Sequence, residues 1–434
     1  MAVEKLVEGV KEHALPLEDD RDLDPLLERI GDARVVLLGE ASHGTGEYYT
    51  WRDRISRRLI AEKDFSFIAV EGDWPDCYAV NLFVKEWGDV GESAREVLHA
   101  FHRWPTWMWA NEEVVALAEW MRETNRDRPD ERKAGFYGLD VYSLWDSMEV
   151  VTRYLERRDP ALAERARRAY GCFDPYEEDV QEYAFATAFV PTDCEEEVVQ
   201  MLREMRSKGP QFREHGREAY FNAEQNALVA LNAELYYRTM VRGGSASWNV
   251  RDTHMMETLQ RLMKHHGPDA KAIVWEHNTH VGDARATDMA RAGMVNVGQL
   301  ARQEYGDECV IVGFSSYRGS VIAGDAWGSP MERMRVPEAR GGSWEAVFHE
   351  AGAQDKLLLL EGFDEVPGAL DPRGHRAIGV VYNPDAERYG NYVPTVMPYR
   401  YDAMLYIDES HAVHPLHLAP VPEHEVPETY PSGM

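Results

Sequence analysis

What most constrains this chain is a series of short apolar, β-rich runs, nearly all of which end on a glycine, a carboxylate or a histidine. They fall at 35–38 (VVLLGE), 67–70 (SFIAVEGD), 135–139 (KAGFYGLD), 272–275 (KAIVWEHN), 310–314 (CVIVGF), 357–360 (KLLLLEGF), 377–382 (RAIGVVY) and 404–407 (DAMLYID). Uniformly apolar runs of this length suit strands buried on both faces, as in a parallel sheet covered by helices. Mixed spacing between them predicts helices over 45–62, 77–88 and 111–125, the last opening with an Asn cap and two glutamates. From 144 to 265 there is no strand pattern. Helical spacing instead fills 214–240 and 249–267, the latter ending in Lys264, His265, His266 and a Gly stop. The predicted fold class is α/β, a mostly parallel central sheet flanked by helices. Residues 1–434 read as one α/β domain, with 144–265 inserted as a helical cap over the strand ends.

Composition removes several functions. The 434 residues carry 47 Lys and Arg against 76 Asp and Glu, a net charge of −29. A nucleic-acid binder needs a basic stripe, and an anionic membrane surface needs one too. Hydrophobic residues make up 44% of the chain and include 12 Trp, enough for a large core, so disorder is excluded. No apolar stretch approaches the roughly 20 residues of a membrane span. The opening MAVEKLVEGVKEHALPL places Glu4, Glu8 and Glu12 where a signal peptide would be basic and then apolar. Four cysteines, at 77, 172, 194 and 309, show no CxxC spacing, which fits a reducing compartment and a cytoplasmic location. The stretch 174–197 holds nine acidic residues and no Lys or Arg, the pattern of a solvated face.

In open α/β sheets ligands bind beyond the carboxyl ends of the strands. Four runs deliver chemistry there: Glu40, Ser42 and His43 after the first, Glu71, Asp73 and Trp74 after the second, Asp140 after the third, and Glu276, His277 and His280 after the fourth. Grouped carboxylates repel one another and resist desolvation, so such a rim is costly without a function. His43 has the side chain best suited to take a proton from water near neutral pH. Either Glu40 or Glu71 would accept from its other ring nitrogen, and Arg52, His277 or His280 would donate to an oxyanion. Trp107 and Trp109, with Trp104, form either a pocket wall or part of the core. Trp74, Asp140 and Glu276 are assigned to the substrate side.

Two sharper motifs fail. Thr45 stands where a P-loop needs lysine, and Glu40 occupies the first glycine position of a nucleophile elbow, which leaves Ser42 as a helix cap. Cys77 reads as a small buried residue. Arg251 and Asp252 read as a helix-start pair, with reach to the rim as the alternative. His254, His265 and His266 share one helix and offer adventitious metal ligands.

The segments LLGEASHGTGEYYTWRDRISRRLI, IAVEGDW, RWPTWMWANEEV, GLDVYSLWDS, SWNVRDTHM, IVWEHNTHVGD and RAIGVVYNP together resemble the erythromycin esterase family, which includes relatives named as succinoglycan biosynthesis proteins. The resemblance runs from about residue 30 to 415. It implies a cofactor-free, metal-independent hydrolase of a macrocyclic lactone, with a small-molecule ester as its partner. It also implies His43 as general base with Glu40 as companion, and places Glu71, Arg52, His277 and His280 beside it. One departure is Ala110, where arginine is expected, which bears on specificity. Two rival readings remain. In one, Glu40, His43, Glu71, Glu276, His277 and His280 hold zinc or manganese, although their spacing is not HExxH. In the other, the acidic rim binds a cationic small molecule without catalysis.

Overall fold

The computed structural model describes residues 2–176, 183–184, 186–187, 194–214, 216–240 and 244–417. The strands are β1 (Ala14–Pro16), β2 (Val35–Leu38), β3 (Phe67–Asp73), β4 (Gly135–Asp140), β5 (Ala272–Trp275), β6 (Cys309–Ala323), β7 (Glu332–Val336), β8 (Lys356–Leu359), β9 (Arg373–Arg376), β10 (Tyr392–Thr395) and β11 (Ala403–Ser410). The main sheet runs β1-β8-β11-β6-β2-β5-β3-β4, with β7 also paired to β6, while β9 and β10 form a separate ribbon. From β11 to β4 every neighbouring pair is parallel; the antiparallel partners are β1, β8 and β7. The four chemistry-bearing strands, β2, β5, β3 and β4, are therefore adjacent and point the same way.

Side chains alternate between two cores, as period-two strands require. Val36 and Leu38 face Ile55, Leu59, Val114 and Leu117 of the helices Gly46–Glu62 and Glu112–Arg126. Val35 and Leu37 face Met255 and Leu259 of Ala246–His266 and Phe348 of Trp344–Glu350. Cutting one such buried leucine to alanine costs about 2–5 kcal/mol. Asn111 caps its helix by accepting from the Val114 N–H at 2.8 Å, and Gly267, at φ 107°, ends Ala246–His266 as a left-handed stop. The helix predicted at 77–88 instead spans Trp74–Lys85, because Pro75 suits a first turn and Glu86 leaves the helical conformation at φ 55°.

One predicted strand is corrected. Residues 377–382 join no ladder; they make isolated bridges, Ser42 to Ile378 and Gly324 to Val381. The run is apolar because Ile378 and Tyr382 pack with Val321, Ala323 and Val336, while Gly379 and Val380 line a cavity.

Between β4 and β5 the helices Leu144–Arg158, Pro160–Tyr170, Glu195–Ser207 and Arg217–Met240 build a third core of their own, including Val151, Leu155, Leu162 and Met201. This bundle leans on Trp74–Lys85, and its chain returns to the sheet through Ala246–His266, which packs on β4. Cys172 and Cys194 are joined by a disulfide at this core, which corrects the reading of cysteine usage; Cys77 and Cys309 are free and buried. Most of the acidic stretch 174–197, and the Pro- and His-rich end, lie outside the described residues. No helix among the described residues is long and apolar enough to cross a membrane.

Candidate active site

The carboxyl ends of β2, β5, β3 and β4 open into a cavity of about 990 Å³, its mouth included. His43, Glu71, Asp140, Arg251, His277 and His280 all contribute to its wall. The loop bearing His43 is pinned from two sides. A side chain at Gly44 would meet the Ile322 carbonyl at 2.0 Å, so only glycine lets this loop close on β6. From the other side comes a strap of residues 411–416. Val413 N–H donates to Gly44 O at 2.9 Å, Gly46 N–H to His411 O at 2.8 Å, and Leu416 N–H to Ala110 O at 2.8 Å.

His43 Nδ1 donates to Glu40 Oε1 at 2.9 Å, and Arg52 Nη2 donates to Glu40 Oε2 at 2.7 Å. The Arg52 guanidinium lies between the rings of Tyr49 and Trp275, 4.5 and 4.7 Å from their centroids. Tyr49 O–H donates to the His43 carbonyl at 2.9 Å, which fixes the backbone beneath the ring. Arg52 and Glu40 are 0% and 1% exposed, so neither faces the cavity. They orient His43 from behind, and a carboxylate at Nδ1 leaves Nε2 as the basic nitrogen on the cavity side. Of the two predicted acceptors, Glu40 is the one in place. Arg52 is too deep to be the oxyanion donor expected of it.

The other wall is assembled around Arg251. Its Nη2 donates to Glu71 Oε1 at 2.7 Å, while Nε and Nη2 clamp Asp140 at 2.9 and 2.7 Å. Burial works against the Glu71 carboxylate, but His280, His43, Arg251 and the His277 N–H together hold its pKa well below the usual range. Asp140 is lowered in the same way, with Arg251 outweighing burial. Asp252 accepts from His280 Nδ1 at 3.0 Å, and the His280 ring stacks on Trp248 at 4.5 Å. Burial disfavours a charged His280, yet Asp252 and Glu71 outweigh it and raise its pKa. Its Nε2 lies 3.2 Å from Arg251 Nη1 and 3.5 Å from Glu71 Oε1. A neutral ring accepts there from the guanidinium, and a charged ring donates to Glu71.

His277 is wired the opposite way from His43. Its Nδ1 accepts from the Thr279 hydroxyl at 2.8 Å and the Thr279 N–H at 3.2 Å, so the ring proton belongs on Nε2. Nε2 is buried and has no protein partner. Burial, then His43, hold the pKa well below the ordinary value and keep the ring neutral. Glu71 Oε2 accepts from the His277 backbone N–H at 2.8 Å, and the His43 and His277 rings stand 4.9 Å apart.

The remaining predicted residues divide. Trp109 lines the wall and donates Nε1 to the Glu71 carbonyl at 3.0 Å. Trp107 packs edge-on against Trp104 inside the core. Trp74 stacks on Tyr78 and Tyr137 beneath the third core and donates to Asn222 at 2.8 Å. Neither Trp107 nor Trp74 reaches the cavity, so the substrate contacts expected of them are corrected. Glu276 is also off the wall. It is fully buried with both carboxylate oxygens unpartnered, and burial, then Glu71, push its pKa well above the usual range. Ala110, the departure in the resemblance, is buried away from the cavity. Ser42 shares a hydrogen bond with Thr45 and does not cap the helix.

Arg251 and Asp252 are no helix-start pair. They sit inside Ala246–His266, where Arg251 shares the buried side with Met255 and Leu259, four and eight residues on. A charged residue at a core-facing helical register is the signal that betrays them. His254, His265 and His266 disperse to Asn232, Glu218 and Tyr137, and among the described residues no three His, Cys, Asp or Glu side chains form a metal-ligand group.

Residues 60–410 match the model of the erythromycin esterase family; the match holds Glu71, Asp140, Arg251, His277 and His280 and begins after the His43 loop. The chain is 22% identical over 384 residues to erythromycin esterase type II of Escherichia coli, covering 82% of this chain and 89% of that one. A solved succinoglycan biosynthesis protein superposes with a TM-score of 0.77 at 20% identity, covering 95% of this chain and 98% of the other. A mutant erythromycin esterase in its open conformation gives 0.66 at 16% identity, covering 91% and 95%. With the family model matched over most of its length, the chain belongs to the erythromycin esterase family.

Proposed function

We propose that the protein hydrolyses a carboxylic ester, with His43 as general base, and that a macrolide lactone is the first substrate to try, since a relative is named an erythromycin esterase. Two oppositely wired imidazoles facing one another support this reading: His43 presents a basic Nε2, and His277 a neutral Nε2–H donor, 4.9 Å apart between ring centroids. Water gives a proton to His43 Nε2 as its oxygen bonds to the carbonyl carbon. The oxyanion accepts from His277 Nε2–H, and the carbon–oxygen bond to the alcohol then breaks. The departing alkoxide takes its proton from the His43 imidazolium or from His280, giving an acid and an alcohol, or a hydroxy acid from a lactone.

His43→Ala tests this. Turnover should fall about a thousandfold or more in a protein that still folds, read by mass spectrometry as the gain of one water by macrolides and simple esters. A folded variant with near-normal turnover removes His43 as base. Chelation should leave wild-type activity intact, whereas a reversible loss restored by zinc or manganese favours the metal reading.

A further inference from the structure

A second buried Glu–His pair lies behind the cavity wall, in a place the proposed chemistry does not use. Glu345, from the helix Trp344–Glu350, accepts through Oε1 from His375 Nδ1 at 2.7 Å, from the Arg376 N–H at 2.8 Å and from the Ser315 hydroxyl at 3.2 Å. Burial opposes a charge there, yet His375 and Arg376 hold the Glu345 carboxyl down at about 2. With a carboxylate at Nδ1, the ring proton of His375 belongs on that nitrogen, and Nε2 carries the lone pair. Glu345 and His375 are 0% and 1% exposed, so neither meets a substrate.

What the pair faces is Asn278. His375 Nε2 accepts from its side-chain amide at 3.3 Å, and the same amide reaches β6, where Nδ2 donates to Phe314 O at 2.7 Å and Oδ1 accepts from the Phe314 N–H at 3.3 Å. A flipped amide would set its oxygen against the Phe314 carbonyl and against the His375 lone pair, so the ring fixes which way it faces. Asn278 in turn stands where both imidazoles are held. It follows His277 in the chain, and its backbone N–H donates at 2.8 Å to the carbonyl of Glu40, whose carboxylate orients His43. Fastening β9 to the sheet does not require the pair, since Arg376 already donates to Ser316 O, Tyr317 O and Pro337 O at 2.7, 2.9 and 2.8 Å. A buried carboxylate and imidazole are a costly way to fill such a site.

We propose that Glu345 and His375 are positioning residues: they fix the Asn278 amide and, through Asn278, the placement of His277 against Glu40 and so against His43. The inference rests on the ester-hydrolase reading of the cavity. It gives the two facing imidazoles a shared support, reached from β6 and β9, in addition to the separate partners of each ring.

His375→Leu removes the acceptor, and His375→Gln sets an amide oxygen near the place of Nε2. In the leucine variant kcat on macrolides or simple esters should fall about tenfold or more with KM unchanged, as a small misplacement of reacting groups does. His375→Gln should recover most of the loss. An unchanged kcat in the leucine variant, or equal losses in both variants, overturns the device. A second readout needs no ester. With isotope-labelled histidine, the nuclear Overhauser contact between the His43 and His277 rings, 4.9 Å apart in the wild type, should weaken in His375→Leu and persist in His375→Gln. That pattern in a protein that cleaves no ester keeps the device and removes the hydrolase; ester cleavage with contact and kcat both unmoved in the leucine variant does the reverse. Should His375→Leu fail to fold, the wild-type ring decides: a proton on Nδ1 with scalar coupling from Asn278 Nδ2 to Nε2 supports the device, and a proton on Nε2 overturns it.

Discussion

Glu40 finds its partners three and twelve residues away, whereas Glu71 finds His277 and Arg251 at separations of 206 and 180 residues. The first carboxylate belongs to a local device, in which a strand, its loop and the following helix hold one imidazole. The second belongs to a device assembled from three strands and a distant helix, in which one guanidinium offsets two buried acids. The contrast separates what each device contributes. The local one sets a tautomer and is thin structurally. The distributed one sets charge and also ties the helix Ala246–His266 to β3 and β4.

If that division is right, breaking the distributed device should damage fold and activity together. Arg251→Met leaves Glu71 and Asp140 buried without their cation, and should cost about 3–5 kcal/mol of stability as well as turnover. Denaturant melts with unchanged midpoint would dissolve the contrast. Glu40→Gln should do the opposite, because its amide oxygen can still accept from Arg52 while its amide N–H donates to His43 Nδ1. Turnover should drop about a thousandfold through the wrong tautomer, with a near-native melting temperature. A smaller effect sharpens the comparison within the Arg251 side. Asp252 raises the pKa of His280, so the charged ring persists to higher pH in the wild type. Asp252→Asn should lower it and move the alkaline limb of the kcat profile toward acid by about one pH unit; a fixed limb would show that His280 plays no part in the titration. Smallest of all, Trp74→Phe should cost about 1 kcal/mol through its lost bond to Asn222 and leave kcat and KM unchanged. Altered kinetics there would return Trp74 to the substrate side.

The same contrast explains what could be read from the chain. The runs at 35–38 and 272–275 announce buried parallel strands because both of their faces meet helices, and the residues just beyond them must then share a rim. Glu40, His43, His277 and His280 were legible for that reason. Arg251 was legible only as an alternative: its register marks it as buried, but its partners are set by how a helix returns after a hundred residues of bundle, and local pattern carries no such distance. Trp74 and Trp107 misled because a tryptophan next to a strand end looks alike whether it turns to the cavity or to the core. The run 377–382 misled because apolar residues between a small core and a cavity wall satisfy the same pattern as a strand between two layers of helices.

The strap across the His43 loop has a consequence for how the molecule comes into being. A ribosome makes Gly44 long before it makes Val413, and the hydrogen bond between them closes one of the widest separations in the chain. The histidine's loop therefore stays unfastened through nearly the whole of synthesis, and a growing polypeptide that already holds every candidate active-site residue still lacks the tie that sets the first of them. Residues 411–416 complete the fastening, so a chain shortened before the strap is expected to be silent toward esters even where its sheet has formed.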